Sequence, residues 1–141
     1  MKPVLLILSL SIFFYACGPQ SGQNDNKVET VKPKGQIQNV SSAKFYELIQ
    51  SDNGIVLDVR TLGEFQQGHL PNALVIDIYQ RDFEEKIKSL PKDKEIYVYC
   101  TVGARSRQAA GILQKNGFEK VYNLEGGIMD WARNRYPITQ K

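Results

Sequence analysis

A chain of 141 residues with 42% hydrophobic and 23% charged side chains has room for one globular domain with its own core, and it lacks the polar, highly charged profile of a disordered polymer. Its formal net charge of +3, reduced to +2 once residues 1–16 and their Lys2 are set aside, excludes the strong basic bias of a nucleic-acid binder. Basic residues alternate with acids across residues 82–88 and 91–95, so these runs read as solvated faces rather than a binding stripe.

Taken in chain order, the first segment has the layout of a secretory signal: Lys2, an apolar run over residues 4–16, then Cys17 followed by polar residues. Thirteen residues, two of them serines, are too few for a membrane core that needs about 20 apolar residues of helix. The small Ala16 before Cys17 resembles the cleavage site of bacterial lipoproteins, although Phe14 stands where those sites usually carry Leu, with the bulky Tyr15 next. This resemblance implies a signal over residues 1–16, lipidation of Cys17 and export to the cell envelope or periplasm, with membrane contact only through that lipid. A plainly cleaved signal and an uncleaved anchor are the alternatives. Residues 17–35 are rich in Gly, Gln, Asn, Pro and Lys and read as a flexible tether. The folded domain is expected over residues 36–141.

Within that domain, short apolar runs alternate with helical patterns, the rhythm of an α/β fold with a parallel sheet and helices on both faces. Ser41 or Ser42 can cap a helix bearing Phe45, Leu48 and Ile49 on one face, and Gly54 separates it from a strand over residues 55–59. Thr61 and Glu64 read as a capping box opening a very short helix. A strand is expected over residues 73–78, and an amphipathic helix with Phe83 and Ile87 over residues 82–90, ended by Pro91. The β-formers of residues 95–99 run directly into Cys100, and residues 106–116 have helical composition with Gly117 as a left-handed cap. Residues 121–124 read as the last strand, and Gly126 and Gly127 turn the chain into a helix around Met129, Trp131 and Ala132.

The chemistry concentrates at Cys100, Thr101, Val102, Gly103, Ala104, Arg105 and Ser106. In open α/β sheets ligands bind beyond the carboxyl ends of strands, where loop N–H groups and the positive end of a helix meet an anion. A thiol placed there ionises readily, with Arg105 and Arg107 as nearby cations. Gly103 allows a tight curl, and small Thr101 and Ala104 are expected to leave the sulfur accessible. With Cys17 lipidated, Cys100 would be the mature domain's single free thiol, a liability in an oxidising compartment unless it is buried or used. A cysteine that merely ends a core strand is the alternative.

The run from Cys100 to Ser106 matches the pattern Cys-x-x-Gly-x-Arg-Ser of the active loop of single-domain rhodaneses, and other landmarks agree. Asp58, Val59, Arg60, Glu64 and Phe65, then Gly68 to Ala73, resemble that family's upstream signature; Gly117, Phe118, Leu124 to Gly127 and Trp131 resemble its carboxyl-terminal one. The resemblance implies a five-stranded, mostly parallel sheet, a persulfide on Cys100 and a substrate pocket made by the backbone of Thr101, Val102, Gly103, Ala104 and Arg105. The implied reaction is sulfur transfer from a thiosulfate- or polysulfide-type anion to a thiophilic acceptor, with a protein acceptor as one option, and no cofactor.

His69, the single histidine, reads as part of a turn rather than a base, because a thiolate stabilised by its loop needs none. Asp58 and Arg60 are expected to support the loop from a strand end, with Glu64 as a further charge nearby. Trp131 reads as packing. One histidine and one free cysteine do not supply a typical transition-metal set. The rival enzymatic readings are a small phosphatase or arsenate reductase, whose loops have five residues between cysteine and arginine where this chain has four. A persulfide carrier or binding module, and a thiol redox sensor, are the rivals of other classes.

Overall fold

The computed structural model describes residues 35–140; the expected signal, Cys17 and the tether up to residue 34 lie outside them. The elements alternate as β1 (Gln36–Val40), α1 (Ser42–Ile49), β2 (Gly54–Asp58), α2 (Leu62–Gln67), β3 (Leu74–Val75), α3 (Phe83–Lys88), β4 (Glu95–Tyr99), α4 (Ala104–Lys115), β5 (Lys120–Leu124) and α5 (Gly127–Arg133). The five strands form one sheet in the order β1-β5-β4-β2-β3. Every pairing is parallel, so the sheet expected to be mostly parallel is wholly so. With all strands pointing one way, the segments that follow β2, β3, β4 and β5 emerge at the same end, and β4 lies at the centre.

A core lies on each face. One packs Leu57, Ile96 and Val98 of the sheet against Phe83 and Ile87 of α3 and Ala109, Ala110 and Leu113 of α4. The other packs Val56, Tyr97, Tyr99 and Leu124 against Phe45 of α1 and Ile128 and Trp131 of α5. Burial on both faces explains why β4 reads as a continuous apolar run rather than an alternating one.

Local signals set the element ends. The Ser41 side chain caps α1 by accepting from the Lys44 N–H at 3.4 Å. Thr61 and Glu64 form the expected capping box at α2. Three elements depart from expectation: β1 has no counterpart among the strands expected from the sequence, and two others differ in their bounds. The strand anticipated over residues 73–78 is reduced to Leu74–Val75; beyond it Ile76 N–H and Ile78 N–H still bond to the carbonyls of Asp58 and Val59, at 2.9 and 3.2 Å, but the regular ladder stops. Helix α4 begins at Ala104 rather than Ser106, because Gly103, at φ 90°, completes the turn that lets the helix start inside the loop.

Candidate active site

The loop after β4 wraps Cys100 at the amino-terminal end of α4. The Gly103 N–H donates to the sulfur at 3.1 Å, and the Ser106 hydroxyl stands 3.5 Å from it. Burial pushes the thiol's pKa up, but the Ser106 hydroxyl and the N–H groups of Ser106, Val102 and Gly103 outweigh it and hold the pKa below the ordinary thiol value. These donors favour the charged form by hydrogen bonding to it, with the helix start adding to the same field.

The backbone geometry depends on glycine at two places. Gly103 has φ 90° and a Cβ there would fall on the Glu125 carbonyl; Gly127 has φ 60° and a Cβ there would fall on the carbonyls of Thr101 and Cys100. The chain after β5 therefore lies directly against the loop after β4. The first turn of α5 then holds it, with Ile128 N–H donating to Cys100 O at 2.8 Å and Met129 N–H to Thr101 O at 3.1 Å.

The structure does not bear out the expected accessibility of the sulfur. Cys100 is only 1% exposed, since the loop folds back over it and its donors close around the sulfur. The expected cation is also differently engaged. The Arg105 guanidinium forms a two-pronged pair with Glu64, Nη2 to Oε1 at 2.6 Å and Nη1 to Oε2 at 2.9 Å. Nη2 also donates to Thr101 Oγ1 at 2.7 Å, and that hydroxyl donates to Glu64 Oε1 at 2.8 Å. The face of Tyr79 lies 5.7 Å from the guanidinium carbon. Hydrogen bonding to Glu64 is the largest influence on the Arg105 charge, with Cys100 a lesser one. The thiolate is thus held chiefly by N–H and O–H donors.

Thr101 to Arg105 form a contiguous loop around the sulfur, with Val102 exposed at its tip. Asp58 and Arg60 lie beneath, at the end of β2, as a buried pair: Arg60 Nε bonds both Asp58 oxygens at 3.0 Å and Nη2 bonds Oδ2 at 2.6 Å. Arg60 Nη2 also reaches Gly68 O at 2.7 Å, and its guanidinium sits over the Tyr99 ring. This pair reaches the loop through the strand end rather than by touching the sulfur. His69 is buried, with Nδ1 3.0 Å from Phe65 O and its ring stacked on Phe65. Trp131 donates its indole N–H to Pro137 O at 2.9 Å, within the core.

Two functional contributors fell outside the residues singled out for the pocket. Ser106 closes the sequence pattern and supplies both hydroxyl and N–H to the sulfur; its place in the first turn after the loop was the available signal. Glu64 reads from the sequence as a cap and a nearby charge, but its contacts to Thr101 and Arg105 span 37 and 41 residues and carry no local signal. Glu64 also borders a cleft of about 360 Å³ with Arg60, Thr101 and Met129. A larger cavity of about 460 Å³, lined by Tyr46, Gly54, Asn72 and Tyr97, lies toward the strand beginnings, away from the sulfur. Among the described residues no cluster of metal-ligating side chains occurs, and no helix is long and apolar enough to cross a membrane.

Comparison with known proteins assigns the geometry. The model of the rhodanese-like domain matches residues 41–134. A sulfurtransferase of Allochromatium vinosum is 37% identical over 91 residues, which cover 64% of this chain and 83% of that protein. A tRNA uridine(34) hydroxylase of Cytophaga hutchinsonii is 40% identical over 108 residues, covering 74% of this chain but 34% of the hydroxylase. The chain thus spans about a third of that larger relative. Among solved structures, a rhodanese-related protein from Thermoplasma volcanium superposes with a TM-score of 0.66 at 35% identity, covering 74% of this chain and 99% of its own.

Proposed function

The chain belongs to the rhodanese-like family, and we propose that it is a sulfurtransferase that carries a sulfane sulfur as a persulfide on Cys100. The observation that supports this most directly is the sulfur itself, which accepts from the Gly103 N–H at 3.1 Å with the Ser106 hydroxyl at 3.5 Å, the Val102 and Ser106 N–H groups also favouring its ionised form against burial. A thiolate so held attacks the outer sulfur of a donor such as thiosulfate. The new S–S bond forms on Cys100 as the donor's S–S bond breaks, and sulfite leaves with the bonding pair. The outer sulfur of the persulfide inherits the same ring of donors, and a thiophile then removes it and restores the thiolate. This is covalent catalysis in two steps, with the charge stabilised by fixed dipoles throughout.

The rival phosphatase and arsenate reductase chemistry needs arginine to grip a tetrahedral oxyanion, and here both terminal nitrogens of Arg105 are taken by Glu64. The test is intact-mass spectrometry of the protein with and without thiosulfate or polysulfide, beside Cys100→Ser. A gain of about 32 Da that requires Cys100 and is removed by cyanide is the expected result. No gain, with a thiol that alkylates normally, overturns the reading in favour of a binding module.

We further propose export and lipid anchoring through Cys17, supported by Lys2, the apolar run over residues 4–16 and Ala16 before the cysteine. Incorporation of a fatty-acid label that is lost in Cys17→Ala tests this; equal labelling in both overturns it.

A further inference from the structure

Arg105 is the cation of the loop, yet it does not face the donor as a free charge. Glu64 engages both of its terminal nitrogens, at 2.6 and 2.9 Å, and Thr101 Oγ1 takes a further bond from Nη2. Both side chains are partly shielded, at 19% and 32% exposure. Glu64 is in turn fixed by its role at α2, where Oε2 accepts from the Thr61 N–H at 3.1 Å and hydroxyl at 3.0 Å. The carboxylate therefore cannot swing aside without giving up its half of the capping box. A two-pronged pair of this kind is both strong and directional, and it cancels the charge that would otherwise attract the sulfonate end of a dianionic donor.

We propose that Glu64 is a specificity-determining residue, which by withholding Arg105 from the donor biases this site toward sulfane donors of low charge and against dianions such as thiosulfate. The inference rests on the sulfurtransferase reading and deepens it by naming the donor class: monoanionic thiosulfonates and organic persulfides. The bond changes are the same for either donor type. The Cys100 thiolate takes the outer sulfur, and the S–S bonding pair leaves with sulfite from thiosulfate, with a sulfinate from a thiosulfonate, or with a thiolate from an organic persulfide. The leaving parts differ in charge as well as in kind, and it is their charge that meets Arg105 or fails to. Two exposed apolar side chains lie where the leaving part would rest, Val102 on the loop itself and Met129 beside Thr101 in the adjoining cleft.

The experiment measures kcat/KM for thiosulfate and for benzenethiosulfonate, with cyanide as acceptor, in the wild type, Glu64→Gln and Arg105→Gln. Glutamine serves at the third position of a capping box as glutamate does, so Glu64→Gln keeps the helix start while removing the charge. The exposed Arg81 and Arg107 remain in every variant, so a change in the ratio reports on the Arg105 and Glu64 pair. In Glu64→Gln the ratio of thiosulfate to benzenethiosulfonate kcat/KM is expected to rise about tenfold, through a lower KM for thiosulfate. In Arg105→Gln, which leaves the Glu64 charge facing the donor, the same ratio is expected to fall. A ratio unchanged in Glu64→Gln overturns the inference and leaves the sulfurtransferase reading intact. Should Glu64→Gln not fold, an unchanged or raised ratio in Arg105→Gln overturns it equally. Failure of both donors to load sulfur on wild-type Cys100 is a different result, which overturns the sulfurtransferase reading and this inference with it.

Discussion

The Ile128 N–H donates to the carbonyl of Cys100 at 2.8 Å, so the helix that closes the fold begins on the residue that opens the active loop. The contact is possible because Gly127 adopts φ 60° with its missing side chain directed at the carbonyls of Cys100 and Thr101. Gly127→Ala places a methyl on those carbonyls in a conformation that non-glycine residues rarely adopt. The expected cost is about 1–3 kcal/mol of stability, read as a lower urea midpoint with an unchanged slope. Persulfide formation should fall further than stability alone dictates, because the displaced backbone carries the sulfur. Wild-type midpoint and rate in this variant would show that the loop is not held from α5.

Ser106 separates the donors of the loop into those a substitution can remove and those it cannot. Its hydroxyl stands 3.5 Å from Cys100 Sγ and leads the influences that lower the thiol's pKa against burial. Ser106→Ala removes this donor and keeps the backbone ones, so the thiolate loses part of its stabilisation and the titration midpoint moves up. A hydrogen bond to a charged group is worth about 1.5 kcal/mol, which corresponds to about one pH unit. The pH dependence of Cys100 alkylation by iodoacetamide measures it directly. A midpoint that stays put would mean that the N–H groups alone hold the charge.

Much of this architecture is legible from residue order. Strands β2, β4 and β5 and helices α1, α3 and α4 follow from apolar runs and periodicity, and the site from a cysteine between a buried strand and a helix. The missing parts have physical reasons. Strand β1 reads Gln-Ile-Gln-Asn-Val and is mostly exposed at the edge of the sheet, so it presents no apolar run; pairing with β5, remote in sequence, makes it a strand. Strand β3 is two residues long at the other edge, where Ile76 and Ile78 remain apolar for the core although the ladder has ended. The burial of Cys100 and the capture of Arg105 by Glu64 both arise from chain segments brought together by the parallel topology. Local spacing reports neither.

The Asp58 and Arg60 pair is buried, with side chains 0% and 6% exposed, and so behaves unlike a surface ion pair. Removing one charge leaves the other without a counter-ion in the core, at a cost of about 3–5 kcal/mol. Asp58→Asn and Arg60→Met are each expected to destabilise by about that amount, and the double substitution by much less than their sum. A double-mutant cycle from denaturant unfolding measures the coupling. Additive effects would mean that Arg60 is held by Gly68 O and the Tyr99 ring rather than by Asp58.

Glu64 gives the stability a signature in acid. Hydrogen bonds from Arg105 hold its carboxyl well below the usual carboxylate range; burial opposes this, while the Thr61 N–H and the Thr101 and Thr61 hydroxyls assist. A carboxyl depressed on folding contributes stability that is fully present above its unfolded pKa, about 4.3, and is lost as pH falls through the folded value. The Tm difference between the wild type and Glu64→Gln should therefore be constant from about pH 7 to 5 and shrink below about pH 4. Because Glu64 is a third exposed, at 32%, the difference at neutral pH is expected to be about 1 kcal/mol, or roughly 4–8 °C in Tm. A gap that widens in acid would carry the wrong sign and remove Glu64 from the groups that stabilise the fold by being ionised.

The burial of Cys100 predicts a reversal of reactivity on loading. As a free thiol the sulfur is only 1% exposed, and a bulky reagent reaches it only when the loop opens; a small one such as iodoacetamide needs a smaller opening. Loading adds an outer sulfur about 2 Å beyond the first, which is expected to lie nearer the surface of the loop, where Val102 is exposed, while still within reach of its donors. Monobromobimane should therefore react with the persulfide at least about tenfold faster than with the thiol, although the ring of donors stabilises both. Two features separate this from simple nucleophilicity. The ratio should shrink for iodoacetamide, and it should shrink for both reagents in Gly127→Ala, where the clamp from α5 is weakened. Equal ratios for large and small reagents would mean that the sulfur is reached without loop motion, and that closure around Cys100 has no part in deciding which molecules take the sulfur.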